Sequence, residues 1–111
     1  MKMKEKWNLN KWRDEIHDNA VNHGWWDDAR EFPETVALCH SELSEALEED
    51  RAGRDLIYIQ SGKPEGIAVE MVDCMIRILD WFGYMKIDVD ELMAVKHSYN
   101  ISRPYKHGKR Y

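Results

Sequence analysis

Apolar residues recur at helical spacing in four stretches of the chain, and strand-like alternation is absent outside one short segment. The four predicted helices run from about Leu9 to His23, Pro33 to Ala52, Pro64 to Gly83 and Asp88 to Asn100. Asp88 and Glu91 form a capping-box pair at the start of the fourth helix. The pattern predicts an all-α fold, a four-helix bundle, in a single domain that spans residues 1–111.

Residues 54–63 connect the second and third predicted helices and contain the apolar run Leu-Ile-Tyr-Ile. The run is too short to assign, and it fits either a helical extension or one strand-like segment. Residues 24–32 and 103–111 are predicted to be ordered loops or tails.

The second predicted helix has an acidic stripe beside its apolar face. At about 100° per residue, Glu42, Glu45 and Glu49 fall within about 60° of one another on the helical wheel. They border the apolar side, which consists of Val36, Cys39, Leu43, Ala46 and Leu47. A solvated helix edge is the ordinary explanation of such a stripe.

The third predicted helix is apolar over more than half of its circumference, which indicates burial inside the bundle. Its single polar stripe consists of Glu70, Asp73, Arg77 and Asp80. Arg77 follows Asp73 by four residues and is placed to pair with it. Glu70 is then left without a counter-charge, and burial of an unpaired carboxylate costs several kcal/mol.

A divalent cation would remove this conflict. Carboxylate oxygens without His or Cys favour Mg²⁺, and we expect Mn²⁺ to be able to replace it. The predicted metal ligands and catalytic acids are Glu42, Glu45, Glu70 and Asp73, with Glu49 as an additional candidate ligand. The alternative is a polar network in the core that Arg77 neutralises.

Charge and composition exclude several classes of protein. The net charge of −5 argues against stable nucleic-acid binding, which normally requires a basic face. No run approaches the roughly 18 apolar residues of a membrane span, and the N-terminus lacks the apolar region of a signal peptide. Cys39 and Cys74 have no CxxC partner, so we predict buried thiols in a cytoplasmic protein, in the host cytoplasm if the chain is phage-encoded.

Two groups of residues are candidates for substrate binding. The expected substrate ligands are Arg77, Lys96, Asn100, Arg103, Tyr105 and Lys106, and the Arg and Lys side chains among them are suited to bind phosphate oxygens. Alternatively, Lys96 extends to solvent and the basic tail is an ordinary solvated end. Trp25, Trp26 and the nearby His23 are candidates for stacking on a nucleobase, the alternative being core or interface anchors.

The segment Glu42-Leu-Ser-Glu45 followed by Glu70-Met-Val-Asp73 resembles the ExxE…ExxD signature of the MazG-like, all-α NTP pyrophosphohydrolases. The ending Asn100-Ile-Ser-Arg-Pro-Tyr-Lys-His-Gly-Lys resembles the tail of small single-domain members from bacteria and phages. The resemblance covers about residues 33–110. It implies Mg²⁺ bound by the four motif acids, and cleavage of an NTP or dNTP between the α and β phosphates. It also implies a homodimer or a dimer of dimers.

One position departs from the family pattern. Ser41 stands where several relatives have an additional Glu that helps to hold a further metal ion or to activate water. The general base and the number of metal ions therefore stay open. We expect a dNTP substrate, a purine such as dGTP or else dCTP or dATP, and a role in the dNTP pool. Competing functions are a non-catalytic helical interaction module and a phosphohydrolase that releases inorganic phosphate.

Overall fold

The computed structural model describes residues 6–110, and within that range it has four α-helices and one β-hairpin. The elements are α1 (Leu9–Asn22), α2 (Phe32–Arg51), β1 (Tyr58–Gln60), β2 (Lys63–Glu65), α3 (Ile67–Met85) and α4 (Val89–Ser102), followed by a 3₁₀ turn at Tyr105–Gly108. The prediction of a mainly helical fold is confirmed. Among the described helices, none has the length and apolar character needed to cross a membrane.

Helix α3 is the central element, because it packs against both α1 and α2. The Phe32 ring at the start of α2 lies 5.0 Å from the Trp81 ring near the end of α3. Further along α2, Glu42 pairs with Arg77. The two helices are therefore antiparallel.

Helix α4 is attached to α1 by reciprocal capping. The carboxylate of Asp90 accepts hydrogen bonds from the backbone N–H groups of Leu9 and Asn10, at 3.0 and 3.2 Å. In return, the side-chain oxygen of Asn10 accepts a bond from the N–H of Val89 at 2.8 Å. Each interaction satisfies a free N–H at a helix start, and the Asp90 carboxylate also places negative charge at the positive end of the α1 dipole. The four helices of the predicted four-helix bundle are present in the single chain, where α4 packs mainly against α1.

The start of α4 agrees with its sequence, but the start of α3 does not. The Asp88 side chain accepts a hydrogen bond from the N–H of Glu91 at 3.0 Å, which confirms the predicted cap. The predicted helix start near Pro64 is wrong, because Pro64 lies in β2. Helix α3 begins at Ile67, directly after the buried Gly66, where a Cβ atom would collide with a backbone carbonyl.

The hairpin pairs β1 and β2 in antiparallel register, with Tyr58 opposite Glu65. Ser61 and Gly62 have φ values of 52° and 78°, the left-handed conformation that a tight two-residue hairpin turn requires. The strand-like alternative for residues 54–63 is confirmed. Its partner strand, however, lies mostly in a segment that was expected to begin the third helix.

Asp80 connects three parts of the chain around the second half of α3. Its side chain is buried, with Oδ1 lying 2.8 Å from Nδ1 of His17 and accepting a 2.9 Å bond from Nε1 of Trp26. Oδ2 lies 3.6 Å from Nη1 of Arg30. The Trp26 ring stacks on Tyr84 at 4.2 Å. One carboxylate thus ties α1 and the loop before α2 to α3.

Apolar side chains of α3 are less buried than their pattern predicts. Within this fully described helix only Cys74, Leu79 and Asp80 are buried, whereas Met75 is 54% exposed. The Cα radius of gyration is 16.6 Å, against about 13 Å for a compact domain of this length. The predicted burial of α3 is therefore not achieved within one chain.

Gly83 provides a test of the close contact between α1 and α3. A Cβ atom at Gly83 would lie 2.5 Å from Cβ of His17 and 3.3 Å from the carbonyl oxygen of Arg13. Gly→Ala in an open helix stabilises by up to about 1 kcal/mol. We predict that Gly83→Ala instead costs about 1–3 kcal/mol in urea unfolding, through overpacking. Ser44→Ala, at an exposed position of α2, should be neutral or slightly stabilising; a stabilised Gly83→Ala variant would contradict the packing described.

Candidate metal centre and adjoining cavity

Three carboxyl groups meet where α2 packs against α3. Glu42 comes from the middle of α2, while Glu70 and Asp73 come from the first two turns of α3. One oxygen from each of these carboxyl groups lies within 4.8 Å of the other two. All three side chains are half-buried, and the structure thus brings together three of the four predicted metal ligands.

The fourth predicted ligand, Glu45, is exposed and belongs to neither acidic group found among residues 6–110. Ser41, at the position where relatives have an additional Glu, is also exposed. Its hydroxyl donates a 2.7 Å hydrogen bond to the carbonyl oxygen of Leu38. Neither residue is a member of the three-carboxylate cluster in this structure.

Arg77 is the cation placed at this cluster, but its partner differs from the predicted one. Its Nη2 donates a 3.1 Å hydrogen bond to Oε1 of Glu42, rather than pairing with Asp73 on its own helix. The packing of α2 against α3 brings Glu42 within hydrogen-bonding distance of this guanidinium. Arg77 still lowers the pKa of Asp73, although burial and Glu42 outweigh this effect and leave that pKa raised.

The crowding of acids is most evident at Glu70. Burial, the charge of Asp73 and the proximity of Glu42 raise the pKa of Glu70 to about 7. Without a metal ion, the cluster therefore retains a proton near neutral pH. A divalent cation can take the place of this proton, because it offsets the same repulsion with a larger charge.

A second acidic group adjoins the first and shares Glu70 with it. Carboxyl oxygens of Glu49, Glu65 and Glu70 lie within 4.8 Å of one another. Glu49 is 7% exposed and accepts bonds from the Tyr58 hydroxyl at 3.0 Å to each oxygen, with Nη1 of Arg54 3.4 Å away. Glu49, the additional predicted ligand, is thus close to Glu70 but is already partnered.

The hairpin contributes two charged residues that the sequence analysis did not identify. Nζ of Lys63 lies 3.3 Å from Oε1 of Glu65. The pKa of Lys63 is raised, first by its hydrogen bond to Glu65 and further by the charges of Glu70 and Asp73. The Ser61-Gly62 dipeptide was the available signal, because it favours a tight turn that folds residues 63–65 back toward α3.

A cavity of about 530 Å³ adjoins the three-carboxylate cluster and lies between α1, α3 and the loop before α2. Its polar lining includes Glu42, Asp73, Arg77, Asp80 and Arg30, and its aromatic lining is Trp7, Trp12 and Trp25. The volume is within the range of small-molecule sites. Acidic, basic and aromatic groups therefore line one continuous space.

Of the three predicted stacking residues, Trp25 lines this cavity and is 61% exposed. Trp26 is directed into the fold, where it stacks on Tyr84 and donates to Asp80. His23 is exposed and its Nδ1 lies 2.8 Å from the carbonyl oxygen of Asn19. Trp12 also lines the cavity; its place on the apolar face of the first predicted helix was the signal for it.

The predicted phosphate ligands at the C-terminal end lie outside this cavity. They are Lys96, Asn100, Arg103, Tyr105 and Lys106, and all except the half-buried Arg103 are exposed. Lys96 and Arg103 lie over the Tyr99 ring, at 5.0 and 5.5 Å from its centre. In a single chain, the structure does not bring this basic segment to the carboxylates.

Comparison of the chain with protein families, with curated proteins and with solved structures gives no match. The arrangement of the side chains, together with the motif spacing, therefore carries the functional argument.

The raised pKa of Glu70 predicts how stability depends on pH. Between pH 4.5 and 7 the folded, metal-free protein keeps a proton that the unfolded chain has lost, so stability falls as pH rises through this range. Glu70→Gln cannot lose that proton. We predict that it is more stable than the wild type at pH 8, and that the difference shrinks toward pH 5.

Urea unfolding in EDTA at pH 5, 6, 7 and 8 measures this effect. The matched control is Glu48→Gln, on the exposed face of α2, which should follow the wild-type pH dependence. An unchanged pH dependence in Glu70→Gln would show that Glu70 is not the crowded group.

Proposed function

We propose that this chain hydrolyses a nucleoside triphosphate between its α and β phosphates in a Mg²⁺-dependent reaction. The observation that carries the proposal is the continuity of the three-carboxylate cluster with an aromatic-lined cavity. Metal-bound phosphates and a stacked base need these two environments side by side. The ExxE…ExxD spacing, which resembles that of the MazG-like pyrophosphohydrolases, supports α–β cleavage to a monophosphate and pyrophosphate.

The residues present suit Mg²⁺, with Mn²⁺ as a substitute. The donor atoms are carboxylate oxygens, which hard cations prefer, and neither acidic group contains a His or Cys. Glu42, Glu70 and Asp73 would hold the ion. When bound, such an ion neutralises phosphate charge and lowers the pKa of an attacking water.

The other groups in the cavity have complementary roles in the proposal. Arg77 orients Glu42 through their hydrogen bond and adds positive potential beside the phosphates. Trp25 offers an aromatic face to the base. The proposed substrate is a dNTP of the cytoplasmic pool.

We also propose that the protein acts as a homodimer or as a dimer of dimers. Apolar side chains of α2 and α3 remain exposed in one chain, among them Leu47, Met71 and Met75 at 48%, 48% and 54%. Large exposed apolar side chains that collect on one surface mark association sites. A second copy would cover it.

The catalytic proposal predicts the effect of removing one ligand charge. Glu70→Gln and Asp73→Asn should each reduce Mg²⁺-dependent kcat/KM by at least about 100-fold, because the cation loses a charged ligand. Glu48→Gln, an acid on the outer face of α2, should retain wild-type activity. Circular dichroism would confirm that helical structure is preserved in all three variants.

The assay is a panel of NTPs and dNTPs with Mg²⁺, with products separated by chromatography. Monophosphate and pyrophosphate are the expected products. Orthophosphate as the first product would contradict α–β cleavage and would identify the protein as a phosphohydrolase that releases inorganic phosphate. The absence of turnover with every nucleotide would favour a non-catalytic helical module.

The association proposal predicts a concentration-dependent size. Sedimentation should give a dimer or tetramer for the wild type, whereas Met75→Asp should shift it toward the 13.2 kDa monomer because a charge would be buried at the interface. Asn22→Asp, which also adds one negative charge but at an exposed position at the end of α1, serves as the control. A monomeric wild type would refute the association.

A further inference from the structure

Arg30 lies in the loop before α2 and lines the cavity, yet its side chain is only 8% exposed. The guanidinium makes one hydrogen bond within the described chain, from Nη2 to the carbonyl oxygen of Trp25 at 3.2 Å. Nη1 lies 3.6 Å from Oδ2 of Asp80, and Nε lies 3.1 Å from Oε2 of Glu34 but is not aligned for a hydrogen bond. A guanidinium has five N–H donors, and buried donors normally find acceptors. Arg30 therefore lines the cavity with more N–H donors than its contacts within the chain use, while the face of its guanidinium lies over the Trp26 ring, with Cζ 4.6 Å from the ring centre.

The position of Arg30 along the cavity follows from α3. Asp73, Arg77 and Asp80 all line the cavity from this helix. Seven residues separate Asp73 from Asp80, which corresponds to about 10 Å of helix. Since Arg30 is beside Asp80, it lies at the end of the cavity away from the three-carboxylate cluster. A nucleotide with its phosphates at Asp73 would direct its base toward Arg30.

Aromatic side chains also line the cavity. Trp25 lies beside Arg30, to which its carbonyl oxygen is hydrogen-bonded, and its residue is 61% exposed. Trp12 lines the same cavity, is 43% exposed and contacts the Trp7 ring at 4.4 Å. Aromatic stacking accepts every base, because every base has a π-face. Discrimination between bases must therefore come from hydrogen bonds, and Arg30 is the buried donor at this end.

We propose that this end of the cavity is a base subsite in which Arg30 recognises a 6-oxopurine, through O6 and N7 of guanine or hypoxanthine. The inference rests on the proposed function and names its substrate class. The planar guanidinium fork matches two neighbouring acceptors, and Arg paired with guanine O6 and N7 is the common form of this contact. Adenine presents an amino donor next to N7, which opposes the guanidinium N–H groups.

Binding of nucleoside monophosphates tests the subsite without turnover, because they have no α–β bond. Tryptophan fluorescence in the presence of Mg²⁺ reports binding, since Trp7, Trp12 and Trp25 line the cavity. GMP and IMP should bind about 10-fold or more tightly than AMP and CMP. The 7-deaza analogue of GMP, which lacks the N7 acceptor, should bind about as weakly as AMP.

Arg30→Lys keeps the positive charge and removes the fork, so the ratio of GMP to AMP affinity should fall toward one. Arg54→Lys, at an exposed position outside the cavity, is the matched control and should keep the wild-type ratio. If Arg30→Lys does not fold, as judged by circular dichroism, the comparison of GMP with its 7-deaza analogue in the wild type decides alone.

Three results with the wild type would each overturn the subsite: equal binding of GMP and AMP, tighter binding of AMP or CMP, or undiminished binding of 7-deaza-GMP. An unchanged ratio of GMP to AMP affinity in a folded Arg30→Lys variant would also overturn it. These results are distinct from failure of the proposed function. Selective GMP binding without NTP cleavage would refute the hydrolase and retain the subsite. Cleavage of all NTPs with equal kcat/KM and no base selectivity would retain the hydrolase and refute the subsite.

Discussion

The contact between α2 and α3 brings together more carboxyl groups than cations. Glu42 faces Glu70 and Asp73 across this contact, and Arg77 is the guanidinium that bonds to one of them. The helices pack closely enough that burial itself raises the pKa of Glu70 and Asp73. A protein that only needed stability would place apolar side chains here, since replacing buried charges with apolar groups is often neutral or stabilising. The free-energy cost of burying these neighbouring carboxylates is understandable if a bound cation compensates their charge.

Charge is arranged differently at the other end of the same cavity. Asp80 is buried too, but His17, Trp26 and Arg30 surround it, so its carboxylate is well compensated. The first half of α3 therefore has an excess of carboxylate charge. The second half has a compensated charge network, in which Arg30 has N–H donors that its contacts do not use. In the proposed function, this polarity gives a bound nucleotide a direction, with its phosphates beside the first half of α3 and its base beside the second half.

The helical wheel predicted that Glu42, Glu70 and Asp73 lie on facing polar stripes, because α2 and α3 are regular and present their polar residues at fixed angles. It could not decide which acids meet, and Glu45, on the same stripe as Glu42, remains exposed. The first strand of the hairpin stayed one of two alternatives and the second was missed, because β1 and β2 are each three residues long, too short for a clear alternation. Arg30 was missed for a related reason: it lies in a loop, where periodicity carries no information about direction. The exposure of α3 shows a further limit, since an apolar helix does not reveal whether its own chain or another copy covers it.

The location of a bound ion tests the central claim most directly. In a crystal grown with Mn²⁺, anomalous scattering shows where the ion binds. The account predicts an anomalous peak about 2 Å from carboxylate oxygens of Glu42, Glu70 and Asp73, at the contact between α2 and α3. A peak at other acids, or no peak at a saturating Mn²⁺ concentration, would contradict it.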